Sequence, residues 1–256
     1  MLNFKNTSLF CFTLLLGVIV LDIFFKVPLF LYGLLFGFWF IMTLVGSFSI
    51  SRNFHVNAFS ASTHAVDKKV AITFDDGPNA TYTPKVLKLL KEFDATATFF
   101  CIGKHIEEQP ELFTSIVNHG HSVGNHSYSH SKFFDFFGTK KVRDEIERTY
   151  QIMASLAPTK SKLFRPPYGV TNPAIAGALK DTNQSVIGWN VRSFDTVIKN
   201  PERIKKRLTK RIKPGAIILL HDSHDRIVSV LEHLLIFLQD NGYQSVSVNE
   251  LMNSKE

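Results

Sequence analysis

An apolar run extending almost unbroken from Leu9 to Ile50 constrains this chain more than any other stretch. A single helix of about 40 residues would be roughly 60 Å long, about twice the hydrocarbon core of a bilayer. Asp22, Lys26 and Pro28 interrupt the run. Two spans joined at Lys26-Val27-Pro28 fit better, Leu9–Phe25 and Leu29–Ser49, the first near the lower length limit and carrying a carboxylate. A cleaved signal peptide is the competing assignment. Lys5 and the apolar run suit one, but no small-x-small site follows at the right distance, and Ala58 and Ala61 come too late. The expectation is a transmembrane helical hairpin in the lipid bilayer and a polar linker at about Arg52–Asp67. Residues 1–66 then form anchor and linker, and 67–256 a second unit. Both termini lie on one side of the membrane. Lys5, Arg52, Lys68 and Lys69 flank the outer ends against Lys26 at the turn, which leans towards a cytoplasmic second unit.

After Lys69 the pattern changes to short apolar runs, rich in β-branched residues, alternating with helical periods. Strands are expected at Val70–Phe74, Ala97–Ile102, Ser122–Gly124, Leu163–Arg165, Ser185–Trp189, Ala216–Leu220 and Ser245–Val248. Helices are expected at Pro84–Phe93, Glu111–Asn118, Thr139–Leu156, Pro173–Lys180, Pro201–Ile212 and Arg226–Asn241. Thr83 before Pro84 and Asn172 before Pro173 read as N-caps followed by a first-turn proline. Such alternation implies an α/β unit with a parallel sheet, open or closed into a barrel, with chemistry at the carboxyl ends of the strands. The net charge of +7 would suit nucleic acid, anionic lipid or acidic glycans, but the basic residues are scattered among acidic ones and no nucleic-acid motif accompanies them. Cys11 and Cys101 form no C-x-x-C pattern, so neither a metal knuckle nor a redox pair is indicated.

Four segments carry candidate chemistry. Asp75 and Asp76 follow the first strand in T-F-D-D-G-P. Adjacent carboxylates at a strand end call for a shared cation or proton, although a D-D-G-P turn that caps its own backbone reads the same way. His126 and His130 stand four residues apart in G-N-H-S-Y-S-H. On a helical turn both imidazoles would face one ion, and with an aspartate they would make a three-ligand hydrolytic metal set. Zinc is the default ion, and Fe(II) or another divalent ion also suits two histidines and a carboxylate. In L-F-R-P-P-Y-G, Arg165 ends a strand and two prolines remove donors, so the Tyr168 N–H is the first that can meet an oxyanion. A surface arginine bridging loops is the plainer reading. In I-L-L-H-D, His221 follows a buried strand and has the titration range of a general acid. His224 lies past the strand and reads as solvated, and His121 as structural.

These motifs, in this order, resemble the polysaccharide deacetylase family, the NodB-homology domain of carbohydrate esterase family 4. The resemblance covers Val70 to about Val248. It implies a distorted (β/α) barrel with fewer than eight strands, in keeping with the roughly seven parallel strands read above. It also implies that Asp75 is the general base and that Asp76, His126 and His130 hold the metal. Arg165 would orient Asp75, His221 would protonate the leaving amine, and Leu219 would line the pocket for the acetyl methyl. The family's D-x-x-D-W motif corresponds to Arg192-Ser193-Phe194-Asp195-Thr196. Asp195 is kept as a partner for His221, whereas Arg192 and Thr196 depart, which puts the shape and charge of the substrate groove in question. Trp189 reads as strand-end packing rather than a sugar platform.

The resemblance implies hydrolysis of N-acetyl groups on amino sugars of an envelope glycan, such as peptidoglycan or a chitin-like oligomer, with release of acetate. A lipid-linked sugar is an alternative substrate, and a catalytically silent glycan-binding module an alternative class. The protein is expected in a bacterial cytoplasmic membrane. Envelope glycans lie outside that membrane, against the lean of the flanking charges.

Overall fold

The computed structural model describes residues 3–63, 67–157, 162–180, 182 and 184–253. Two helices lead, α1 (Phe4–Phe25) and α2 (Leu29–Ser47), both long and apolar enough to cross a membrane and mostly unburied. They pack antiparallel: Trp39 Nε1 donates to Ser8 Oγ at 3.0 Å near one end, and Tyr32 Oη to Asp22 Oδ2 at 3.2 Å near the other. Asp22, the awkward residue of the first span, also accepts the Val27 N–H, so its carboxylate closes the turn around Pro28.

The described part of the stretch read as a linker is structured. Ile50 is buried, and β1 (Ala58–Phe59) pairs in parallel with β6 (Ser185–Ile187) at the edge of the sheet. Ser62 N–H then donates to Gly215 O at 2.9 Å, which carries the segment across to the start of β8 (Ile217–His221). Residues 64–66, where the two units were divided, lie outside the described residues.

The remaining strands are β2 (Lys69–Asp75), β3 (Ala97–Cys101), β4 (Ser122–Asn125), β5 (Leu163–Phe164), β7 (Val191–Arg192) and β9 (Gln244–Ser245). The order is β1-β6-β5-β4-β3-β2-β8-β7, all parallel, with β9 against the start of β2. This curled half-barrel is the expected distorted barrel with eight strands along its path instead of about seven. β1 and β7 are two-residue strands, too short for a periodic signal. Ser245–Val248 is shortened, because Val248 begins a terminal helix, α10 (Val248–Asn253).

Side-chain alternation along β2 separates two interiors. Val70, Ile72 and Phe74 face an outer core that includes residues of α3 (Thr83–Glu92), α5 (Pro110–Asn118) and α9 (Arg226–Asp240). Ala71 points inward with Phe100, Leu163, Ile187, Ile217 and the α10 residues Val248 and Leu251. Thr73 and Asp75 continue that inward face towards the carboxyl end. The helices α6 (Thr139–Leu156), α7 (Pro173–Leu179) and α8 (Pro201–Thr209) complete the outer layer with α4 (Gly103–Glu108), a short helix without a strong periodic pattern. Asn172 caps α7 as expected, accepting from the Ile175 N–H. Thr83 does not cap α3. It lies within the helix, and its hydroxyl is turned to the Asp222 carboxylate.

Candidate active site

Register brings the carboxyl ends of β2 and β8 together, with Asp75 opposite His221 and Thr73 opposite Leu219. On the other side of β8, Arg192 is opposite Leu219. A pocket of about 250 Å³ opens there, lined by Asp75, Asp76, His126, His130, Tyr168, Gly169, Trp189, Arg192, Thr196, Leu219 and His221. Seven of the nine residues picked out from sequence line this pocket, and the other two, Arg165 and Asp195, touch its lining from behind as partners of Asp75 and His221. Leu219 is almost fully buried among them.

Arg165 is no surface bridge. Its side chain is fully buried. Nη1 donates to Asp75 Oδ1 at 2.7 Å and to Thr73 Oγ1 at 2.8 Å. Nε donates to Ile187 O at 3.1 Å and Nη2 to Gly188 O at 3.0 Å. The guanidinium stacks 4.0 Å from the Phe100 ring centroid. A buried cation survives only when its donors are so occupied.

Asp76, His126 and His130 present ligand atoms all within 4.8 Å of one another. Asp76 Oδ1 lies 3.6 Å from His126 Nε2 and 3.4 Å from His130 Nε2. The His126–His130 stretch is a loop rather than the expected helical turn, with Ser127 (φ 64°) and His130 (φ 45°) in the left-handed region. Convergence comes from tertiary contacts instead. His126 Nδ1–H donates to Arg165 O at 2.7 Å, which leaves its Nε2 lone pair facing the cluster. Glu145 of α6 accepts the Tyr128 N–H at 3.0 Å and the Ser129 N–H at 2.7 Å. His105 of α4 holds the Asp76 carbonyl through Nδ1 at 2.8 Å. Burial and the neighbouring His126 depress the His130 imidazole to about 4. Two imidazoles and a carboxylate match the donor set of a divalent metal.

Across the pocket, His221 Nδ1–H donates to Asp195 Oδ1 at 2.8 Å, and the His221 N–H to Asp195 Oδ2 at 2.8 Å. Ser193 Oγ adds a bond to Oδ1 at 2.7 Å. Burial alone would depress the His221 imidazole, but the Asp195 hydrogen bond and charge, with Asp75 and Asp76 beyond, push it up to about 9. Burial likewise opposes ionisation of Asp195, yet hydrogen bonding by His221 holds its carboxyl well below the usual range. His224 is not the solvated residue it resembles in sequence: Nε2 lies 3.4 Å from Asp195 Oδ2. His121 is structural as read, buried beside the Ala97 N–H and the Phe99 ring.

Tyr168 sits at φ 58° after the two prolines, its ring centroid 4.8 Å from that of His130. Gly169 (φ 67°) has no room for a side chain, because a Cβ would meet the Trp189 ring at 2.2 Å. Trp189 is therefore both strand-end packing and pocket wall. Glu145, His105 and Asp222 carry no site role in the sequence reading, where Thr83 reads only as a helix cap. Asp222 adjoins His221, and that adjacency to a candidate acid was the one available signal.

A family model for polysaccharide deacetylases matches residues 63–187. The chain is 36% identical to a peptidoglycan-N-acetylglucosamine deacetylase of Bacillus cereus over 194 residues, 74% of this chain and 90% of that one. It is 32% identical to the corresponding enzyme of Listeria monocytogenes, covering 74% of this chain but only 40% of the relative. The solved peptidoglycan deacetylase PdaC of Bacillus subtilis superposes with a TM-score of 0.69 at 32% identity, over 74% of this chain and 94% of that one. Fold and likeness together define a hydrolase acting on linear amides. The chain belongs to the polysaccharide deacetylase family, the NodB-homology or carbohydrate esterase family 4 group.

Proposed function

We propose that this chain removes N-acetyl groups from amino sugars of a cell-envelope polysaccharide, peptidoglycan foremost, and releases acetate. The observation that carries this reading is the placement of the buried Asp75–Arg165 pair and the His221–Asp195 pair on one pocket with the Asp76, His126 and His130 cluster. Asp76, His126 and His130 would hold a divalent cation, with zinc proposed from the donor set. When bound, such an ion supplies Lewis acidity towards the acetamide carbonyl and makes water more acidic.

Each residue then has a step. Asp75, held in place by the Arg165 guanidinium, takes a proton from the attacking water. The Tyr168 N–H, freed by the preceding prolines, donates to the oxyanion as the carbonyl becomes tetrahedral. Leu219 gives the acetyl methyl an apolar wall. His221, imidazolium at neutral pH through Asp195, donates its Nε2 proton to the departing nitrogen.

Residues 1–66 would anchor residues 67–256 to a bacterial cytoplasmic membrane. The Thr171 N–H, three residues beyond Tyr168, donates to Ser47 O at the end of α2 at 3.0 Å. That attachment of the second span to a pocket-lining loop favours a second substrate class, a lipid-linked acetylated sugar presented at the bilayer.

The test uses the full chain in detergent with zinc. Acetate release from N-acetylglucosamine oligomers should be chelator-sensitive, and Asp75→Asn should abolish it while metal stays bound. Undiminished release by Asp75→Asn would eliminate Asp75 as base. No release from any acetylated glycan or lipid-linked sugar would leave a glycan-binding module. Reporters fused at Lys26 and at the carboxyl terminus should signal from opposite sides of the membrane; same-side signals would sink the hairpin.

A further inference from the structure

The pocket wall opposite the Asp76, His126 and His130 cluster carries a charge that hydrolysis of a neutral acetamide does not use. Arg192, on β7 beside Leu219, is exposed and lines the pocket. Its guanidinium stands 4.7 Å from the Phe194 ring centroid and 5.7 Å from that of Trp189. Arg207 of α8 stacks on the same Phe194 ring at 4.4 Å, and its Nε donates to Arg192 O at 2.8 Å. Phe194 holds a left-handed backbone (φ 59°), a conformation unfavourable for a bulky residue. Burial and the nearby Arg211 and Arg192 charges lower the Arg207 pKa.

Among the described residues no carboxylate pairs with Arg192 or Arg207. Two guanidiniums held against one aromatic ring, with no paired carboxylate among the described residues and one of them on the pocket wall, have the donor chemistry that an oxyanion requires.

We propose that Arg192, supported by Phe194 and Arg207, is a specificity-determining residue that binds an anionic substituent, carboxylate or phosphate, on the acetylated sugar or its immediate neighbour. This rests on the deacetylase reading above and narrows its substrate to an acidic glycan unit. A lactyl carboxylate, as on N-acetylmuramic acid, and a sugar phosphate share the required chemistry. A neutral N-acetylglucosamine chain lacks it.

The test has a binding arm and a turnover arm, both with the full chain in detergent. Quenching of Trp189 fluorescence, with Trp39 as constant background, reports binding of four probes. They are an N-acetylmuramic-acid-containing oligomer, its methyl ester, N-acetylglucosamine 1-phosphate and neutral N-acetylglucosamine oligomers. The wild type should bind an anionic probe roughly tenfold tighter than its neutral counterpart, a preference that shrinks as salt rises. Arg192→Gln should bring the ratio close to one and Arg192→Asp should invert it, with the change in kcat/KM selectivity falling mainly on KM. Preference for the carboxylate probe alone identifies a carboxylate substrate, and preference for the phosphate probe alone a phosphorylated one. Equal wild-type binding of anionic and neutral probes, or a preference untouched by Arg192→Gln, overturns the proposal. Absence of turnover with the preference intact overturns the deacetylase reading and leaves the oxyanion site standing.

Discussion

Arg165 Nη1 lies 2.7 Å from Asp75 Oδ1, and neither side chain reaches water to any extent. The guanidinium also ties β2 to the carbonyls of Ile187 and Gly188 across the half-barrel. One ion pair thus serves both the candidate base and the closure of the sheet around it.

Arg165→Ala should therefore cost stability as well as activity. Removing one partner of a buried pair strands the other, typically at about 3–5 kcal/mol. Denaturant unfolding of the full chain checks this. A loss below about 1 kcal/mol would mean that water enters to solvate Asp75.

Activity should decline as pH rises through about 9, where His221 loses its proton. A raised folded value also means that the stability His221 contributes is complete below about 6.5 and lost as pH passes about 9. Asp195→Asn removes the hydrogen-bonded charge and leaves burial dominant. The alkaline limb of kcat should then move down to or below 6.5, and a limb that stays near 9 would assign it to another group.

Glu145 never touches the ligand cluster, yet its carboxylate gathers the Tyr128 and Ser129 N–H groups of the histidine loop. Glu145→Ala should weaken metal affinity by about 10–100-fold, the usual effect of removing an outer hydrogen-bonding partner. Competition against a metallochromic chelator measures it. His126→Ala should abolish high-affinity binding outright.

Asp222 is wholly buried between Thr83 and Gly77, where no side chain larger than hydrogen would fit. Burial, with the Asp76 charge, raises its carboxyl to about 7 from 3.8, the Thr83 hydrogen bond opposing. Its stabilising contribution is full below 3.8 and disappears as pH rises through 7. Asp222→Asn should flatten the decline in unfolding free energy over that window, as urea titrations at several pH values would reveal. Parallel profiles for variant and wild type would contradict it.

Much of this protein was legible before any fold. The apolar run is broken at Lys26 and Pro28, and the two helices end and begin there. Period-2 and period-3.6 patterns located the larger strands and six helices, since a half-buried element must repeat its apolar residues at its own geometric period. The order of the D-D, H-x-x-x-H, R-P-P-Y and L-L-H segments singled out Asp75, Asp76, His126, His130, Arg165 and His221, which the fold gathers at one pocket.

Tertiary structure decided the rest. β1 and β7 pair through backbone hydrogen bonds that two residues cannot advertise in their side chains. His126 and His130 converge through Arg165 O and Glu145 rather than through the helical spacing expected for them. His224 approaches Asp195, and Thr83 meets Asp222 across 139 positions of sequence. Such contacts depend on where distant elements come to rest, and a charge read along the chain carries no record of the partner it will meet across it. Asp22 is the clearest case: a carboxylate that weakened the case for a span by composition is, in three dimensions, the group that closes its turn.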